Sequence, residues 1–138
     1  MIVPNLMVTD MARSIAFYRD VVGLTVTMMV TADRQMLTDG DGSSAVFAML
    51  DFEGGQLMLQ TNASLAQELP VFAADQRPVP AGTVYIRGQH PESVAGRVSP
   101  DQVVKGPFQQ WYGMVEIYLR DPDGHIICLG ALAGPPPG

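Results

Sequence analysis

Histidine occurs twice, cysteine once, and lysine and arginine together only eight times in 138 residues. Each shortage excludes something. One cysteine cannot form an internal disulfide, nor a thiolate zinc site by itself. The histidines, His90 and His125, stand 35 residues apart and form no His-x-x-x-His pair. An exposed or capping histidine is the ordinary reading for each. The basic residues are scattered through a chain of net charge −6 and pI near 4.6, which excludes nucleic acid as a partner. No stretch approaches the roughly 18 apolar residues that a membrane span requires. The first residues, Met1-Ile2-Val3-Pro4-Asn5, have neither the basic start nor the apolar core of a secretory signal, so the cytoplasm is the expected compartment.

What is present is ample apolar material. A hydrophobic fraction of 47% against a charged fraction of 16% fits one folded domain with a substantial core. Residues 2–8 read as a strand, with Pro4 placing it toward a sheet edge. Thr9-Asp10 caps a helix over 11–22, in which Met11, Ile15, Val21 and Val22 keep helical spacing and Gly23 stops the run. Strands follow at 24–30, 44–51 and 56–60, separated by turns at Asp39-Gly40-Asp41-Gly42 and Glu53-Gly54-Gly55. The order is βαβββ.

The second half repeats that order. It has a strand at 83–88, a helical stretch at 90–98, a brief strand at 103–105, a long one at 112–120 and a last one at 125–129. Laying Asp51-Phe52-Glu53-Gly54 on Asp121-Pro122-Asp123-Gly124 requires an offset of 70 and sets Met58 on Cys128. At the start of each half the offset is 80, with Val3 on Thr83. Consistent order with weak identity is the signature of an internal duplication. The expected organisation is a first module at 1–62, a linker at 63–80, a second module at 81–133 and a proline-rich flexible tail at 134–138. The linker holds a short helical turn before Arg77-Pro78-Val79-Pro80, which is stiff and extended.

Three passages carry a resemblance. They are Asp10-x-x-x-Ser14-x-x-Phe17-Tyr18 with Gly23-Leu24, the Gln110-Trp111-Tyr112-Gly113-Met114-x-Glu116 run, and Asp121-Pro122-Asp123-Gly124 entering an apolar strand. Within the paired βαβββ order, they resemble the glyoxalase/bleomycin-resistance/dioxygenase superfamily, the vicinal oxygen chelate fold, most nearly its bleomycin-resistance-type binding proteins. The resemblance implies an α+β fold of two βαβββ modules, whose curled mixed sheets enclose a cup, and commonly a homodimer. In the superfamily's metalloenzymes, metal ligands stand on the first and last strands of each module. Carried over by position, these fall at Val3, Met58, Thr83 and Cys128. Valine has no donor, threonine is a poor ligand, a thioether suits only soft ions, and a lone thiolate is not a site. No metal and no cofactor is therefore expected.

If Cys128 faces the cup, strand alternation sets the rest of the lining. The expected ligand-binding residues are Met58, Gln60, Tyr85, Met114, Glu116, Tyr118 and Cys128, with Trp111 at the rim. Apolar and aromatic walls with a few polar points suit a small molecule, and nine methionines supply walls that adapt to ligand shape. In the first module the same offset sends Val46 and Ala48 to the cup and Phe47 and Met49 to the helix side. Glu116 is expected to meet a ligand cation, or else Arg87 or Arg120.

The expected function is metal-free binding of a planar or cationic antibiotic-type molecule. One alternative is an enzyme of the same fold, a lyase, isomerase or dioxygenase using a metal or Glu116 as a base. Another is a non-catalytic association domain.

Overall fold

The Asp10 carboxylate accepts a hydrogen bond from the backbone N–H of Arg13 at 3.1 Å, and this cap opens the first helix. The computed structural model describes residues 1–88 and 90–133; the tail at 134–138 lies outside the described residues. The chain divides into two compact units, one from Met1 to Pro78 and one from Val79 onward.

The first unit runs β1 (Asn5–Val8), α1 (Met11–Ile15), β2 (Thr25–Thr31), β3 (Met36–Leu37), β4 (Ala45–Phe52), β5 (Gly55–Thr61) and α2 (Asn62–Glu68). The helix expected over 11–22 is α-helical only to Ile15 and continues as a π-helix over Ala16–Val22. Its wider turn lets the adjacent Phe17 and Tyr18 both face inward, with ring centroids 5.0 Å apart and planes at 89°. Gly23, at φ 94°, closes the π register by donating its N–H to the Tyr18 carbonyl at 3.1 Å, a left-handed conformation that favours glycine. The strands order β1-β5-β4-β2-β3, with β1 parallel to β5 and the other pairs antiparallel. Ala48, Leu50, Leu57 and Leu59 are buried on the face toward α1.

The second unit runs β6 (Thr83–Arg87), α3 (Pro91–Ala95), a 3-10 turn at Pro100–Gln102, β7 (Val103–Gln109), β8 (Met114–Arg120) and β9 (Ile126–Leu132). Its order, β6-β9-β8-β7, reproduces β1-β5-β4-β2, again with a parallel first pair. Ile117, Leu119, Ile127 and Leu129 are fully buried, and α3 packs on β8 and β9. Both units are mixed α+β modules with open, unclosed sheets.

The registers test the duplication directly. Met58 neighbours Asn5, and Cys128 neighbours Tyr85, so the offsets of 70 and 80 both hold on these strands. On the third strand the offset is 69. Phe47 stands opposite Gln60 where Glu116 stands opposite Gly130, and Met49 opposite Met58 where Tyr118 stands opposite Cys128. The expected lining is thereby corrected at Ala48, which is fully buried on the helix side, and at Phe47 and Met49, which share the open face; Val46, beside a register shift in the β2–β4 pairing, does line the cavity on that face. The cause is the turn. Asp51 pairs with Gln56 whereas Arg120 pairs with Ile126, so the second hairpin carries one extra residue. A slip of one residue exchanges the two faces of a strand.

The segment read as a linker, 63–80, begins within α2, whose Thr61 hydroxyl caps it by accepting from the Ser64 N–H. No helix among the described residues is long and apolar enough to cross a membrane.

Ser14 is fully buried in α1, and its hydroxyl has no hydrogen-bond partner among the described residues. An unpaired buried hydroxyl is destabilising. Ser14→Ala is expected to raise stability by about 1 kcal/mol, read as a higher urea midpoint at unchanged m-value.

Candidate functional site

On the open face of the first unit's sheet lies a cavity of about 650 Å³, lined by Asn5, Val30, Val46, Phe47, Met58, Gln60, Ser64 and Glu68 among others. Strand alternation supplies its floor and α2 one wall. Its polar groups form a chain. The Asn5 amide donates to Gln60 Oε1 at 3.0 Å, and the Gln60 amide donates to Ser64 Oγ at 2.9 Å and to Glu68 Oε2 at 3.1 Å. Both Gln60 N–H groups are thus spent inside the protein. What remains toward the cavity from Asn5 and Glu68 includes acceptor oxygen. Arg34 also lines the cavity.

The open face of the second unit is organised around a buried carboxylate. Glu116, with no exposed surface, accepts from the Tyr85 hydroxyl at 2.7 Å, the Tyr112 hydroxyl at 2.8 Å and the Gln110 amide at 3.0 Å. Burial alone would push this carboxyl's pKa up, but the hydrogen bonds from Tyr85, Gln110 and Tyr112, helped by Lys105, hold it below the ordinary value. The hydroxyls respond oppositely. The bond to Glu116, with burial, pushes Tyr112 up to about 12, and burial together with the same carboxylate raises Tyr85 as well.

Glu116 therefore meets neither expected arginine. Arg120 donates instead to the Asp101 carbonyl at 2.9 Å, and the Arg87 guanidinium lies 6.0 Å from the Tyr85 ring centroid. A carboxylate that accepts from three donors and is held below its ordinary pKa is a weak proton acceptor.

Of the expected residues, Tyr85, Glu116, Tyr118 and Cys128 are brought together in the second unit, while Met58 and Gln60 line the first unit's cavity. Tyr118 stacks on Phe108 with centroids 6.4 Å apart, and the Lys105 ammonium lies 4.5 Å from the Phe108 ring centroid. Met114 is buried opposite Leu132. Trp111 sits in the β7–β8 turn, 80% exposed and edge-on to Tyr112. Gln110 and Tyr112 escaped the sequence reading as partners of Glu116. The signal was the hairpin they occupy, which folds positions 110 and 112 back over the start of β8 and is held by the Gln110 N–H to Met114 carbonyl bond at 2.7 Å. Phe47 was missed through the one-residue phase shift, and Glu68 because it comes from α2 and not from a strand.

The four inherited ligand positions do not fit a divalent metal. Val3 precedes β1, Thr83 pairs with Ile126 and not with the last-strand position, and Met58 offers only a thioether. Cys128 is fully buried, and burial with the nearby Glu116 charge pushes its thiol up to about 11. Among the described residues, no three His, Cys, Asp or Glu side chains gather to hold a metal ion. His90 precedes α3 without a side-chain capping bond. Cys128 is expected to resist a water-soluble disulfide reagent at pH 8 in the native protein and to react with one equivalent on unfolding; prompt native reaction would show the strand open.

Two α+β modules of matching strand order, each with a soft, apolar residue at the last-strand position, fit a vicinal-oxygen-chelate-type architecture. The Glyoxalase/Bleomycin resistance protein/Dioxygenase superfamily model matches residues 2–72, just over half of the chain, and the protein belongs to that superfamily. No curated protein matches. Among solved structures, it is similar to a protein of unknown function from Agrobacterium tumefaciens str. C58, at 22% identity over 95% of this chain and 92% of that one, TM-score 0.70. It is similar to a glyoxalase/bleomycin resistance protein/dioxygenase from Nocardioides, at 21% identity over 100% and 87%, TM-score 0.64. TioX from Micromonospora sp. ML1 shares 18% identity over 95% and 97%, TM-score 0.67. At these identities the likeness concerns the fold alone.

Proposed function

We propose that this protein is a metal-free small-molecule binding protein of the bleomycin-resistance type, taking a planar, cationic, antibiotic-type ligand. The observation that carries the reading is the first unit's cavity. Its volume of about 650 Å³ falls in the range of drug-sized sites, and it combines apolar walls at Val30, Val46, Phe47 and Met58 with a polar side that includes Asn5, Gln60, Glu68 and Arg34. Phe47 offers a ring for a flat ligand. Glu68, oriented by Gln60, offers a carboxylate for a cation, and the net charge of −6 favours approach of one. The unfit metal positions support binding over metal-dependent chemistry.

Titration calorimetry with bleomycin and a panel of basic aromatic compounds tests this. Saturable binding of one ligand per chain, insensitive to chelator, is expected. Glu68→Gln is expected to weaken a cationic ligand about fivefold at low salt, less as salt rises, because the carboxylate is partly solvated. No heat with any basic aromatic compound counts heavily against the reading. Stoichiometric divalent metal in protein purified without chelator would overturn it.

A further inference from the structure

The two units treat equivalent positions in opposite ways. Asn5 reaches diagonally across the strand pair to Gln60, and at the equivalent position Tyr85 reaches diagonally across to Gly130. Where the first unit has a long amide, the second has no side chain at all. The Tyr85 ring fills that space. A Cβ built on Gly130 would overlap the Tyr85 hydroxyl and stand 2.7 Å from the ring carbon that bears it. The hydroxyl donates to a carboxylate that has no exposed surface and is already aimed by Gln110 and Tyr112.

From this we infer that the second unit carries a filled subsite for a small phenol, and that Tyr85 is its internal occupant. The glycine supplies a slot for a flat ring. Glu116 supplies a preoriented acceptor for one O–H at Oε2, which Tyr112 also meets, while Gln110 holds Oε1. Tyr85 arrives from β6, at the edge of its sheet, and is 41% exposed, so removing its ring opens the slot to solvent. Tyr85, expected from the sequence to face a ligand, takes the place of one. The inference stands apart from whatever compound fills the first unit's cavity, because it involves second-unit residues only.

The test is replacement of the side chain by its free analogue. Tyr85→Gly is titrated with p-cresol, with toluene as the same shape lacking the hydroxyl, and wild type as the filled control. Tyr85→Gly is expected to bind one p-cresol with a dissociation constant of about 1 mM or tighter, a scale attainable by so small a ligand. Wild type and Tyr85→Phe, whose slots stay filled, are expected to bind at least tenfold more weakly. Toluene is expected to be at least tenfold weaker on Tyr85→Gly, because Glu116 then receives no proton donor from the ligand. p-Cresol is also expected to raise the thermal midpoint of Tyr85→Gly and not that of wild type. A natively folded Tyr85→Gly that ignores p-cresol, or that takes toluene equally well, overturns the inference. If Tyr85→Gly does not fold alone, refolding with p-cresol decides: soluble native protein supports the subsite, and none refutes it.

Discussion

Glu116→Ala is expected to lower the stability of the protein by about 3 kcal/mol, because charge-assisted hydrogen bonds are the stronger ones and their loss leaves donors unpaired. The variant strands the Tyr85 hydroxyl, the Tyr112 hydroxyl and the Gln110 amide at once. It also leaves a void in the middle of β8. The two tyrosines are partly exposed, so water relieves some of that loss and the effect stays near the lower end for a buried charged group. Glu116→Gln keeps the volume and is expected to be milder, since the tyrosine hydroxyls can rotate. The pH dependence separates the two contributions. The folded-state pKa of Glu116 lies below the ordinary 4.5, so its stabilisation is fully present above that value and is lost as pH falls toward the folded-state pKa. Urea unfolding of wild type and Glu116→Gln from pH 6 downward is expected to show curves that converge below about pH 4.5. Parallel curves throughout would remove the carboxylate from the acid response.

Much of this fold was legible because its signals are local or doubled. Asp10 and Gly23 bound the first helix by cap chemistry, and Asp121-Pro122-Asp123-Gly124 turns the last hairpin. The repeat then made each half a check on the other: the offsets of 80 and 70 match the structure, in which Asn5 neighbours Met58 as Tyr85 neighbours Cys128. What failed was phase. A hairpin longer by one residue moved Phe47 and Met49 to the open face, and no composition signal marks a turn's length. Partner identity also stayed hidden. Glu116 has opposite charges at Arg87 and Arg120 within plausible reach by sequence, yet its bonds come from neutral groups on β6 and the β7–β8 turn. Such pairing depends on which side chains cross between strands diagonally, and strand alternation fixes only the face they share. The π-helical widening of α1 is of the same kind: the tertiary need to bury both Phe17 and Tyr18 overrides ordinary helical spacing.

Diagonal crossing also sets the second large effect, at a residue with no side chain. Gly130→Ala is expected to destabilise the protein by about 2–3 kcal/mol, the range for forcing a methyl into a filled site. The new Cβ would overlap the Tyr85 hydroxyl, so the ring must leave its slot. Leaving breaks the 2.7 Å bond to Glu116 and exposes a carboxylate that the native fold keeps fully buried. Backbone strain has no part in this. Gly130 is paired within β9 opposite Glu116 and is absent from the glycines of positive φ. A double-mutant cycle isolates the cause. In a Tyr85→Ala background the slot is empty, so Gly130→Ala is expected to cost less than about 0.5 kcal/mol, the scatter expected of independent sites. Strong coupling between positions 85 and 130 places the loss in the overlap. Equal losses in both backgrounds would place it in the strand backbone, and the account of Gly130 as the seat of Tyr85 would fail.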